Sequence, residues 1–281
     1  MNKLFVFGLG FSGGVIARRL RAEGWDVAGT TRSGQAAGLP GIRVFAFDRD
    51  HPLPPGALDG TTHVLSAVPP DRAGDPVLPA LGPLDVAWAG YLSTTGIYGD
   101  HGGGWVDETT APAPRSDRSQ WRLAAEQAWQ ASGLPVHVFR LAGIYGPGRS
   151  ALDGVRDGSA RRIVKPGQVF GRIHVDDIAE AVRASMARPA AGAVYNLTDD
   201  DPAPPQEVIA EACRLLGVAP PPEIPWEQAK ATLSPMAQSF FADNKRVRND
   251  RIKTELGVTL RYPSYREGLA SILSATARCD R

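Results

Sequence analysis

Cysteine is nearly absent from this chain. Two thiols, Cys213 and Cys279, stand among 281 residues, too few and too scattered for a disulfide framework or a zinc site. Charge of one sign is not in excess either: the formal net charge is +1, which leaves no basic surplus to meet nucleic acid or an anionic membrane surface. No apolar run approaches the ~18 to 20 residues that a bilayer-spanning helix needs. The start of the chain lacks the apolar core of a signal peptide, since a lone Lys3 is followed at once by a glycine loop; it reads as mature structure. A reducing cytoplasm is the expected compartment, with no metal site, nucleic acid or membrane partner.

What is present is an ordinary globular balance, 43% hydrophobic and 22% charged, enough to bury a full core as one large body or one body with a small appendage. The most informative segment is the first. A short apolar strand runs into Gly8, Gly10 and Gly13 at the GxGxxG spacing, and Val15, Ile16, Ala17 and Leu20 then recur at helical spacing. Each glycine has a physical task there. Gly8 permits a tight turn, Gly10 removes a Cβ where a pyrophosphate must approach, and Gly13 lets helix and strand pack closely, with the phosphates at the positive helix N-terminus.

Strand-like segments at 3–7, 26–30, 42–47, 63–67, 85–92, 136–140 and 194–197 alternate with helical patterns at about 13–23, 120–131 and 176–187. This order predicts an α/β fold, a Rossmann-like doubly wound parallel sheet. Segments 33–39 and 51–58 are broken by glycine and proline and read as short or irregular connections. Proline-rich connectors fall at 199–205 and 219–225. The expected division is a dinucleotide-binding domain over 1–146, completed by 173–198, and a smaller substrate-binding lobe built from 147–172 and 199–281.

The nucleotide is chosen at the end of the second strand. A carboxylate there would bond the ribose hydroxyls of NAD and repel a 2′-phosphate, but the segment reads Thr30-Thr31-Arg32-Ser33. Arg32 offers a planar cation and Ser33 a hydroxyl, so NADP is favoured and NAD is the second choice. Asp48 follows the third strand, where it either accepts the adenine amino group or simply opens a turn.

Four later segments make a resemblance specific: Leu92-Ser93-Thr94-Thr95-Gly96-Ile97-Tyr98-Gly99-Asp100, Arg140-Leu141-Ala142-Gly143-Ile144-Tyr145-Gly146-Pro147-Gly148, Ile173-His174-Val175-Asp176-Asp177-Ile178-Ala179 and Tyr195-Asn196-Leu197-Thr198. In this order they resemble the successive signatures of the extended short-chain dehydrogenases, the NAD-dependent epimerase/dehydratase family, over nearly the whole chain. Val68-Pro69-Pro70 and the stretch from Leu256-Gly257 through Gly268 resemble an atypical bacterial branch. The glycine loop departs from the GxxGxxG usual in extended members, with Phe7 where their first glycine would fall. The resemblance implies a cofactor set of Gly8, Gly10, Phe11, Ser12, Gly13, Thr31, Arg32, Ser33, Asp48, Ala67, Val68, Arg122, Leu141 and Ala142.

For chemistry the resemblance implies a Ser or Thr on the fifth strand and a Tyr-x-x-x-Lys pair on the next helix. Thr94 matches the hydroxyl. The helix instead reads Arg118-Ser119-Gln120-Trp121-Arg122, so arginines stand at both places of the pair. An arginine stays protonated in proteins and cannot exchange the proton that the tyrosine would. Arg122 is able to hold the nicotinamide ribose in the lysine's place, and Arg118 to bind an anionic group; both also fit exposed positions on an amphipathic helix.

Tyr98 and Tyr145 follow the fifth and sixth strands at the carboxyl edge of the sheet, where a phenol would take over the acid role, or serve as packed aromatics. Lys165, Gln168, Arg172 and His174 lie in or beside the substrate-lobe insert and are the expected ligands of an anionic or hydroxylated substrate, with Arg118. Two readings follow. One is an NADP-dependent oxidoreductase or epimerase acting on a small polar substrate; the other is a catalytically inactive dinucleotide sensor. The expectation leans to the enzyme.

Overall fold

The computed structural model describes residues 2–279, with the side chains of 277–279 outside the description, the Cys279 thiol among them. Seven parallel strands form the central sheet: β1 (Lys3–Phe7), β2 (Asp26–Thr31), β3 (Arg43–Ala46), β4 (His63–Ser66), β5 (Trp88–Thr94), β6 (Val136–Leu141) and β7 (Val194–Leu197). Their spatial order is β7-β6-β5-β4-β1-β2-β3. The order reverses between β1 and β4, so a crevice opens at the carboxyl ends there, the place where doubly wound sheets bind ligands.

Period-two alternation divides the core between the two faces of the sheet. Leu4 and Val6 of β1 pack on one side with Ile16, Ala17 and Leu20 of α1 (Phe11–Ala22) and with Ile178 and Val182 of α3 (Val175–Ala187). Phe5 and Phe7 pack on the other with Val64, Tyr91 and Ala125 and Trp129 of α2 (Asp117–Gln130). All five residues of β1 are buried, as a strand covered on both faces requires. The connections at 33–39 and 51–58 contain no regular helix, as their glycines and prolines predicted.

The remaining chain packs around further apolar clusters. Tyr145, Leu152 and Ala203 meet Val208 and Ala212 of α4 (Pro205–Leu216) and Leu269 and Ile272 of α5 (Tyr265–Cys279). Three short parallel pairs stitch this region: 143–145 with 172–174, 162–164 with 223–225, and 105–106 with 246–247. Among the described residues no helix is long and apolar enough to cross a membrane.

Three element bounds differ from expectation in ways that matter for the site. α1 starts at Phe11, so Gly13 lies inside its first turns. β5 runs over Trp88–Thr94, which makes Thr94 its last residue. α2 begins at Asp117 because Ser116 caps it, its hydroxyl accepting the Ser119 amide at 3.3 Å; Arg118 is therefore the second helical residue.

Candidate functional site

Local backbone geometry builds the first half of the crevice. Gly8 has φ +92°, and a Cβ there would meet Val68 Cγ2 at 3.1 Å and the Ala67 carbonyl carbon at 3.3 Å. The first glycine thus lets β1 turn directly against the end of β4. At Gly13 a Cβ would fall 2.1 Å from the Gly8 oxygen, whereas at Gly10 it would meet nothing within 4 Å. Gly13 is needed for packing inside the protein and Gly10 borders open space. The loop is tied to β2 by the Leu9 amide on the Thr30 carbonyl at 2.7 Å and the Gly8 amide on the Thr30 hydroxyl at 3.0 Å.

α1 has no side-chain cap and no acidic residue in its first turn. Its first helical bond runs from Gly14 to Gly10 at 2.8 Å, so the amides of Phe11, Ser12 and Gly13 have no partner within the helix. A bare cradle with free amides at a positive helix end fits the diphosphate of a dinucleotide. A cavity of about 560 Å³ opens beside it, lined by Gly10, Phe11, Arg18, Leu39, Pro147 and Asp176 among others.

At the end of β2, Arg32 is exposed and has no ion-pair partner among the described residues. Ser33 is not free in the same way. Its hydroxyl accepts the Gln35 amide at 3.3 Å and lies 3.4 Å from Thr31 Oγ1, which itself donates to the Gln35 carbonyl at 3.0 Å. Thr31 and Ser33 therefore hold the turn that presents Arg32. Asp48 Oδ1 accepts the amides of Asp50 and His51 at 2.9 Å and stands 2.8 Å from the His51 ring. The bond from His51 holds this carboxyl below the usual range, and the geometry is that of a turn opener, with only Oδ2 left for any adenine.

The second half of the crevice is built from side chains. Thr94 Oγ1 accepts the Gly96 amide at 3.1 Å, which leaves its proton to point outward. A Cβ on Gly96 would lie 2.9 Å from Ser119 Oγ and 3.3 Å from Thr94 Oγ1, so the glycine lets α2 pack closely against the end of β5 and sets the two hydroxyls on either side of it. Ser116 Oγ donates to Ser119 Oγ at 3.0 Å. Ser119 is a site residue that the sequence pattern does not single out; the signal for it is the Ser116 cap, which sets the start of the helix. Arg118 is exposed and makes no ion pair among the described residues. One turn on, Arg122 donates to the Leu92 carbonyl at 2.9 Å and reaches the Tyr91 hydroxyl at 3.4 Å. Burial pushes the Tyr91 phenol up to about 12. Leu141 closes β6 beside Thr94, and the Ala142 amide donates to the Leu197 carbonyl at 3.0 Å.

Neither tyrosine offered as a displaced acid has a hydroxyl free for that work. Tyr98 is 0% exposed; its hydroxyl donates to Asn196 Oδ1 at 2.8 Å and accepts from Arg140 at 2.9 Å. Arg140 in turn pairs with buried Glu126 at 2.6 Å, and Ser93 donates to the same carboxylate at 2.7 Å. Tyr145 is wedged beneath α5, where a Cβ on Gly268 would strike its hydroxyl at 2.0 Å, and its ring meets His174 edge-on at 5.1 Å. Burial raises both phenols.

The expected substrate ligands of the insert are likewise committed inside the protein. Lys165 donates to the Phe241 carbonyl, Gln168 to the Asp243 carbonyl at 2.8 Å, and Arg172 to the carbonyls of Phe170 at 2.9 Å and Ala203 at 3.2 Å. His174 caps α3 by accepting the Asp176 amide at 3.2 Å, and burial lowers its ring to about 4. These bonds fasten loops to each other, while Gln168 Oε1 and His174 Nε2 are buried without a partner among the described residues. Arg118 is the exposed member of the group, with no ion pair among the described residues.

With this geometry established, comparison with known proteins is informative. No protein-family model matches the chain. A protein from Silicibacter pomeroyi DSS, described only as functionally unknown and conserved, is 51% identical, with 98% of this chain and 99% of that one covered and a TM-score of 0.89. The chain belongs to that protein's family. YeeZ of Escherichia coli (strain K12) is 29% identical over 297 residues, 94% of this chain and 97% of YeeZ. A 3-diazoavenalumate denitrifying reductase from Streptomyces sp is 32% identical over 158 residues, 51% of this chain and 49% of that protein. MoeE5 in complex with UDP-glucose and NAD superposes over 100% of both chains with a TM-score of 0.80 at 22% identity. The fold is that of the NAD-dependent epimerase/dehydratases, in an atypical short-chain dehydrogenase form.

Proposed function

We propose that the chain binds NADP(H), with NAD as the weaker ligand, and works as an oxidoreductase or epimerase on a small polar substrate that carries an anionic group. The observation that carries the reading is the glycine loop, where Gly10 borders open space while Gly8 and Gly13 are required by the turn and the packing. Phe11, Ser12 and Gly13 offer amides to the diphosphate, Arg32 meets a 2′-phosphate, and Ala67, Val68, Leu141 and Ala142 line the strand ends. Residues 1–146 with 173–198 form the dinucleotide body in this reading, and 147–172 with 199–281 the substrate lobe. The NAD held by MoeE5 and the reductase activity named for the Streptomyces relative support this class.

A nicotinamide held at this site would supply or accept a hydride. The chain's own part is positional. Thr94 and Ser119 bond the substrate oxygen at the end of β5, and Ser119 passes a proton to or from it by way of Ser116, whose hydroxyl donates to Ser119. Arg118 takes the anionic group in a two-pronged contact, since a guanidinium matches a carboxylate or phosphate. Arg122, fixed to the Leu92 carbonyl, contributes a permanent charge beside the ribose. Neither arginine moves a proton.

Single-turnover oxidation of NADPH across anionic carbonyl compounds tests this reading. Thr94→Ala and Ser119→Ala are each expected to slow it by about 10-fold or more, and turnover indifferent to both would refute the proposed hydroxyl pair. The second reading, a dinucleotide-binding sensor without turnover, is favoured by one specific observation: Tyr98 and Tyr145 are tied into packing, while Arg118 and Arg122, at the places where the resemblance implies a tyrosine and a lysine, exchange no proton. Tight NADPH binding with no turnover on any compound would establish it.

A further inference from the structure

The glycine loop presents a diphosphate with a charge problem. From Gly8 to Val15 it contains no lysine or arginine, and a helix end contributes only about half a positive charge. The amides bind without neutralising a diphosphate's two charges, and a cation set beside them would complete the balance. The turn after β6 brings one. Gly146 and Arg149 are bridged reciprocally, each amide donating to the other's carbonyl at 3.0 Å. This turn is pressed onto the α1 end: a Cβ on Gly146 would lie 2.7 Å from Val175 Cγ1 and 3.2 Å from Phe11 Cζ. Immediately after it, Ser150 is fixed by a capping box, its amide and hydroxyl reaching Asp153 at 2.8 and 2.7 Å.

The Arg149 backbone is thus held from both sides while its side chain is exposed. The guanidinium stands 5.5 Å over the ring of Phe11, the first residue of α1, and has no ion-pair partner among the described residues. Asp176, in the first turn of α3, lines the same cavity as Phe11 and Pro147, yet its carboxylate lies within ion-pair distance only of His174, at 3.7 Å. Arg18, further along α1, lines that cavity too, but below the first turn.

We propose that Arg149 clamps a diphosphate against the N-terminus of α1, from its place over the Phe11 ring. This rests on the dinucleotide reading above and extends it to a residue outside the glycine motif. The diphosphate belongs to the cofactor; the diphosphate of a nucleotide-sugar substrate is the other source of the same chemistry, and the experiment separates the two.

Equilibrium binding of ADP-ribose, NADH, NADPH, adenosine and UDP-glucose is measured on wild type, Arg149→Ala and Arg149→Lys, with thermal melting to confirm that each variant is folded. Arg149→Ala is expected to weaken ADP-ribose, NADH and NADPH alike by roughly 10- to 100-fold, the loss of a charge-assisted contact, and to leave adenosine unchanged. Arg149→Lys should recover part of the loss, because it keeps the charge but not the fork. A loss confined to UDP-glucose would support the clamp and move the diphosphate to the substrate. Unchanged affinity for all the diphosphates, or an equal loss for adenosine, would overturn the clamp while the dinucleotide reading stands. Absence of any saturable dinucleotide binding by wild type would overturn both.

Discussion

The two flanks of the crevice are built on opposite principles. On the β1–β2 flank, backbone and glycines shape the crevice, and the exposed Arg32 has no ion-pair partner among the described residues. On the β5–α2 flank, side chains are wired together: Ser93, Glu126, Arg140, Tyr98 and Asn196 form one buried chain of hydrogen bonds beneath Thr94 and Arg122. The first flank is shaped by backbone, with Gly10 bordering open space. The second is held by its side chains, with Arg122 fixed to the Leu92 carbonyl. In the proposed reading binding and chemistry are separable, because they rest on different strands.

The wired flank should break hardest. Glu126→Ala leaves Arg140 charged and buried, and a broken buried pair costs about 3 to 5 kcal/mol; urea unfolding measures it. A loss below about 1 kcal/mol would mean that the network is not a support of this flank.

A pH-dependent contribution is expected next to it. Burial raises Asp199, just past β7, to about 8. The folded protein then keeps a proton that the unfolded chain has released, so this stabilisation is full below about pH 4 and is lost as pH rises towards 8. Between pH 5 and 7 wild type should lose about 2 to 3 kcal/mol relative to Asp199→Asn, one proton per molecule over two pH units. Parallel stability profiles for the two proteins would contradict this.

The backbone-built flank should respond in affinity instead of stability. Arg32→Ala should weaken NADPH by about 1.5 to 3 kcal/mol, the value of a charged hydrogen bond, with far less effect on NADH and on melting. Equal losses for both nucleotides would remove Arg32 from the choice between them. The smallest change is expected when the family pair is rebuilt. Arg118→Tyr with Arg122→Lys should preserve NADPH binding within about 1 kcal/mol, the scale of an exposed charge contact, without creating strong activity on common sugar nucleotides. High activity in that double variant would show that the pocket is not shaped around an anion.

The sequence made the fold legible because its signals are local. A five-residue apolar run before Gly8 is a buried strand, and glycine at 13 is a packing requirement that spacing alone reveals. Segment 85–92 shows where local reasoning slips. Val86 and Ala87 extend the apolar run backward, but pairing with β4 starts at Trp88 opposite His63, so the strand shifts towards Thr94. The shape of the glycine loop was legible for the same reason. The hydrogen-bond commitments of the polar side chains were not. Tyr98, Arg172 and Lys165 look chemically available in one dimension; only the fold shows their polar atoms spent on Asn196 and Arg140, or on the carbonyls of Phe170, Ala203 and Phe241. Ser119 and Arg149 carry no one-dimensional signal, because their neighbours Gly96 and Phe11 are distant in sequence and meet them only in the fold.

Whether the glycine loop holds the dinucleotide is decided by titrating wild type and Gly10→Val with NADPH, followed by nicotinamide fluorescence. Because a Cβ at Gly10 meets nothing within 4 Å, the variant should fold and melt like wild type while its valine occupies the space of the diphosphate. Saturable binding by wild type is expected, with a loss of about 100-fold or more in the variant, the scale of losing several charge-assisted contacts at once. Equal NADPH affinity in the two folded proteins would contradict it.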